Sequence, residues 1–109
     1  MTVYVDDMFK YPVGEFKRGG RMYKMSHMIA DTEAELHAMA DTIRLSRRWY
    51  QGDHYDVSMT LRLKAIEAGA VEVTLKQLAC MDALRKRGLP MGDPATSIER
   101  RLALVKEKQ

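Results

Sequence analysis

The chain has 109 residues, room for one domain with one core and too few for two ordinary domains. Hydrophobic residues make up 46% and charged residues 30%, a mixture that argues against a disordered chain. A net charge of +3 is compatible with an anionic partner, but it lacks the dense positive stripe of a dedicated nucleic-acid binder.

Cys80 is the one cysteine, which excludes an internal disulfide and a cysteine-built zinc site and fits a reducing compartment. It falls within a helical pattern, where a small buried residue is its simplest role. No apolar run is long enough to span a bilayer and no signal-peptide pattern opens the chain, so the expected location is the cytoplasm, with no membrane partner. Met22, Met25 and Met28 form a stripe that reads as adaptable core filling.

Thr2 to Val5 alternate β-branched and aromatic residues and predict a first strand, ending at Asp6 and Asp7. Residues 8–20 contain Pro12, Gly14, Gly19 and Gly20 and read as a long loop of the kind that forms lids or binding segments. Arg21 to Ile29 predict a second strand. Thr32 with Glu35 is a capping box, and Leu36, Met39, Ala40 and Ile43 give the buried face of the helix it opens. Arg47 to Gln51 read as a third strand, followed by a tight polar turn from Gly52 to Asp56.

Ser58 caps a second helix with Met59, Leu63 and Ile66 as its core stripe, and Gly69 sits at a left-handed C-cap position. Val71 to Val73 predict a short fourth strand. Thr74 with Gln77 opens a third helix through Leu78, Met81 and Leu84, stopped by Gly88 and Pro90. Asp93 and Pro94 start a final amphipathic helix with Ile98, Leu102 and Val105 on one side. This helix either packs on the domain or carries a homodimer contact.

Strands alternating with helices predict an α/β fold, a small mainly parallel or mixed sheet of about four strands with covering helices and a C-terminal helix. The first two strands have no helix between them, so a hairpin through the long loop gives the mixed case. Residues 1–88 read as a single α/β domain and residues 89–109 as a C-terminal helical tail.

The segments VYVDD, SHMIADTEAELHAMA, QGDHYDV and AIEAGAVEVT together resemble the bacterial and phage family known as domain of unknown function 4031. The resemblance covers about the first three-quarters of the chain and leaves out the tail after Gly88. It marks Asp6, His27, Asp31, Glu35, His37, His54 and Asp56 as motif positions. It implies no activity, because the family has none to transfer.

All three histidines, His27, His37 and His54, lie in those segments, accompanied by Asp6, Asp7, Asp31, Asp53 and Asp56. In a parallel sheet, functional groups gather where strands end, so Asp6, His27, Asp31, His54 and Asp56 are the candidate catalytic set. His27, His54 and Asp56 are the candidate metal ligands, since imidazole with carboxylate suits a divalent ion such as zinc or manganese. Without a metal, His54 paired with Asp56 or Asp31 is a candidate general base. Arg47, Arg48, Lys17 and Arg18 are candidates for holding phosphate.

Bland readings stand beside these. Asp31 and Asp56 precede helices, Asp53 follows Gly52 in a turn, and Glu35 belongs to a cap. His37 sits beside Leu36 as an edge-of-core histidine. Trp49 and Tyr50 point to opposite faces of their strand, so Trp49 reads as core and the other is free to stack on a base or a ring. Arg85 to Arg87 read as a solvated helix end. The expected function is a divalent-metal-dependent hydrolase of phosphoesterase or nuclease type acting on a phosphate-bearing small molecule or nucleic acid. The alternative is a non-catalytic phage-type accessory protein that binds a host protein or nucleic acid.

Overall fold

A computed structural model describes residues 2–107. Strand β1 (Val3–Val5) pairs antiparallel with the end of the long β3 (Arg21–Ala30) and parallel with β5 (Val71–Glu72). β2 (Glu15–Arg18) pairs antiparallel with the start of β3, and β4 (Tyr55–Ser58) pairs antiparallel with its middle. Met28 faces both Val5 and Tyr55, so β3 runs between β1 and β4. The helices are α1 (Glu33–Thr42), α2 (Met59–Glu67), α3 (Leu75–Lys86) and α4 (Ser97–Glu107).

The five-stranded sheet is mixed, with a single parallel contact. β3 alone runs against the other four strands, because a hairpin rather than a crossover helix delivers it. The mixed form of the expected α/β fold is therefore the one observed, and the mainly parallel form is not.

Alternation along the strands sends side chains to two separate cores. Val3, Val5, Met28, Ala30, Tyr55 and Val57 pack with Leu36 and Ala40 of α1 and Ala65 of α2. On the other face, Tyr4 and Ile29 pack with Leu78 and Met81 of α3 and with Met91. Each fully buried side chain such as Met28, Ile29 or Leu36 contributes roughly 1.5–3 kcal/mol of transfer free energy. α4 lies against α3, and the buried Ser97 hydroxyl donates to Pro94 O and Gln77 O. Among the described residues no helix is long and apolar enough to cross a membrane.

Three local expectations are corrected. Glu15–Arg18 is a strand rather than loop, although all four residues are exposed and show no apolar alternation. Gly19 and Gly20 form it by taking φ of 59° and 78°, the left-handed pair that a two-residue hairpin requires. Arg47 to Gln51 is not a strand. Ser46 caps a 3₁₀ turn over Arg47–Trp49, and the strand lies later, at Tyr55–Ser58, where apolar Tyr55 and Val57 alternate with polar Asp56 and Ser58. In α2 the buried residues are Arg62 and Ala65, while Met59 and Leu63 stand 42% and 56% exposed. Arg62 reaches inward because its guanidinium donates to Asp6 O at 2.8 Å and covers the Phe9 ring.

The caps follow the sequence closely. Thr74 and Gln77 form the full capping box of α3, and Asp7 adds a carboxylate that accepts from Leu75 N at 2.7 Å. At α1, Thr32 accepts from Glu35 N, while its hydroxyl donates to the Glu35 carboxylate. Asp93 caps a 3₁₀ turn over Pro94–Thr96 that leads into α4.

Candidate metal centre

The β3–β4 pairing builds this site. Its register places His27 opposite Asp56, so the two side chains share a face of the sheet. His54 lies two residues before Asp56, where the same periodicity returns it to that face. It is the face that α3 covers around Tyr4 and Ile29. The rings of His27 and His54 meet edge to face with centroids 5.1 Å apart. His27, His54 and Asp56 each offer a ligand atom, all within 4.8 Å of one another.

Both imidazoles are held from behind by a carboxylate. His27 Nδ1 meets Asp6 Oδ2 at 2.8 Å, and Asp6 is fully buried at the end of β1. Asp6 Oδ1 accepts from the backbone N–H groups of His27 and Met8, so the acid is satisfied without water. His54 Nδ1 meets Asp53 Oδ1 at 2.5 Å, and Asp53 is held by Lys86 at 3.0 Å. A carboxylate on Nδ1 fixes the ring and leaves Nε2 as its outward nitrogen.

Charge is concentrated on His54. Its Nε2 lies 3.4 Å from Asp56 Oδ1, so one imidazole stands between two acids. The hydrogen bond to Asp56, then that to Asp53, overcome partial burial and raise its pKa to about 9. For Asp53, burial favours the neutral acid. Hydrogen bonds from His54 and Lys86 outweigh it and bring the carboxyl down to about 2. Asp56 is also lowered, first by His54 and then by Gln51, whose amide donates to Asp56 Oδ2 at 2.7 Å.

The end of α3 braces this region. Arg85 donates to Ala30 O at the end of β3, to Asp53 O and to Asp82 Oδ1. Lys86 bridges Asp82 and Asp53. These residues read from the sequence as a solvated helix end. The Asp82, Arg85, Lys86 spacing of three and four along one helix face was the signal for a built network.

Of the candidate set, the structure brings His27, His54 and Asp56 together, with Asp6 directly behind His27. Asp31 stands apart, beyond the end of β3, where its carboxylate accepts from Thr2 N. His37 lies on the opposite face of the sheet, bonded to Tyr55 Oη at 2.6 Å and packed edge-on against Tyr50. Arg47 is paired with Asp41, whereas Arg48 and Arg18 lie over the Trp49 ring. Trp49 is 44% exposed rather than core.

Beside Asp56 opens a groove of about 640 Å³, lined among others by Phe16, Lys17, Arg18, Tyr23 and Trp49. Gln51 reaches Asp56 from its wall.

No curated protein and no solved structure matches the chain. Residues 3–86, from β1 to the end of α3, match the family described as "Protein of unknown function (DUF4031)", and the chain belongs to that family.

Proposed function

We propose that His27, His54 and Asp56 bind a divalent cation and that the protein is a metal-dependent hydrolase of phosphate esters. The observation that carries this reading is the double backing of the imidazoles. Asp6 on His27 and Asp53 on His54 reproduce, twice in one cluster, the carboxylate–histidine arrangement that orients metal ligands. Two imidazoles and one carboxylate are a donor set for zinc or manganese and leave coordination positions open. Zinc bonds of about 2.0–2.1 Å require the ligand atoms to stand about 3.3 Å apart, so the trio contracts modestly on binding.

A cation held by His27, His54 and Asp56 would lower the pKa of a bound water and so supply a nucleophile for phosphate-ester hydrolysis. The chain's own contribution is positional. Asp6 and Asp53 hold the rings, Gln51 holds one oxygen of Asp56, and His54 gives up its Nε2 proton to become a ligand. Asp6, buried and fully bonded, is a positioning residue.

Titration calorimetry with Zn²⁺ and Mn²⁺ tests the reading, followed by hydrolysis of a chromogenic phosphodiester. One ion is expected per chain, lost in His27→Ala and in Asp56→Ala, with turnover abolished by chelation. Absence of binding heat and of any melting shift at millimolar ion sinks the metal site. Binding without turnover sinks the hydrolase.

A non-catalytic binding role is favoured by one feature, the exposed apolar side chains Leu102 and Val105 on α4. It predicts that replacing both with serine abolishes association with a protein partner or a second copy, while cation binding is unchanged.

A further inference from the structure

The groove beside Asp56 carries three aromatic side chains that a stable domain has reason to bury. Phe16, Tyr23 and Trp49 stand 45%, 40% and 44% exposed within it. Phe16 and Tyr23 are cross-strand partners in the β2–β3 hairpin, so their separation is set by backbone pairing. Exposed apolar surface gathered in one concave place marks a binding site.

The cations around it are the second observation. Lys17 and Arg18 line the groove, and Arg48 stands beside Trp49. None of the three is in a salt bridge among the described residues, so their charges are free for an anion. The Arg48 and Arg18 guanidinium groups lie over the Trp49 ring, 4.7 Å and 5.8 Å from its centre, which gathers positive charge beside an exposed aromatic surface. Exposed aromatic rings interleaved with cations are the chemistry that binds unpaired bases and their phosphates.

We infer that this groove binds single-stranded nucleic acid and leads a backbone phosphate to Asp56. The inference rests on the phosphoesterase reading above for its catalytic consequence, but binding in the groove needs no cation. A duplex is a poor fit, because its base faces are stacked out of reach, and a free nucleotide fills only part of 640 Å³.

Trp49 is the only tryptophan, so fluorescence excited selectively at tryptophan reports on this groove. The test titrates the full chain with a ten-nucleotide single strand in excess chelator, with the matching duplex and a nucleoside monophosphate as parallel arms. Quenching by the single strand is expected, at least tenfold tighter than by either other ligand. Contacts from Lys17, Arg18 and Arg48 predict that log affinity falls by about 2 per decade of salt. Lys17→Ala with Arg18→Ala is expected to weaken binding about tenfold or more and to bring that slope below about 1. Trp49→Ala, followed by anisotropy of a labelled strand, is expected to lose a similar factor, with an unchanged circular dichroism spectrum confirming its fold. No quenching by the strand, or equal affinity for duplex or monophosphate, overturns the inference. Because chelator is present throughout, failure here leaves the cation site standing, and failure of the calorimetry leaves the groove standing.

Discussion

Replacing His54 with glutamine tests whether this side chain is an imidazolium held between two acids. Its pKa of about 9, against 6.5 for a free imidazole, means the folded chain holds the proton more tightly than the unfolded chain. For a raised pKa, the stabilisation is complete below pH 6.5 and disappears as pH rises through 9. Linkage with those two values gives a ceiling of about 3 kcal/mol at pH 6, somewhat less at pH 7 and almost nothing at pH 9.5. The side chain is 22% exposed, so water screens the pair and about 1–2 kcal/mol is the expected measured change. Urea denaturation of the native chain and of His54→Gln at pH 6, 7.5 and 9.5 reads the difference directly. Subtracting the variant removes the titrations both chains share. A stability gap that stays constant across that range, or widens with pH, refutes the charged clamp.

Cation affinity is expected to rise about tenfold per pH unit from pH 7 to 9, since His54 must release its proton, and calorimetry in buffers of different ionisation heat is expected to count about one proton per ion. Tyr55→Phe is expected to cost about 1–2 kcal/mol in urea melts, because it leaves His37 Nδ1 without its 2.6 Å partner in a largely buried place. Asp7→Ala removes a carboxylate from the first turn of α3 and is expected to lower stability by about 1 kcal/mol, with cation binding retained. Leu102→Ser is expected to change monomer stability by less than about 0.5 kcal/mol, as the side chain is 53% exposed; a larger loss indicates that α4 packs more tightly than described.

The parts legible in the sequence were those with short-range causes. Thr32, Ser58 and Thr74 announce their helices through side chains that bond three residues onward, and each does so. Leu78, Met81 and Leu84 repeat at helical spacing and are buried. The elements that escaped are those set by distant partners. Trp49 and Tyr50 have strand propensity, yet Ser46 and a cation pair hold them in a turn, and β4 forms where Tyr55 and Val57 find the core. β2 has no pattern of its own and follows from two glycines and the pairing that β3 supplies.

The site divides in the same way. His27, His54 and Asp56 could be named because they share motif segments, but their shared face depends on a β3–β4 register that no local signal specifies. Asp31 looked equivalent from its position near a strand end, but it lies four residues past His27, beyond Ala30 and beside Thr2, where β1 rather than β4 is the partner of β3. Asp53 read as turn chemistry because its partners, Lys86 and Arg85, come from more than thirty residues away.

Arg85 ties three stretches of chain with one side chain: the close of β3, the strand-entry loop at Asp53, and its own helix. Fraying of the last turn of α3 therefore has a cost out of proportion to its length. Leu78 and Met81 sit earlier in the helix and keep their packing, so the loss is confined to Leu84 and to the loop that aims His54, which loses its anchor. In this molecule the ordering of the site and the folding of the domain have different breaking points, and amide exchange at Gln51, whose N–H donates to His54 O, is expected to quicken well before that of β3 as the chain is warmed.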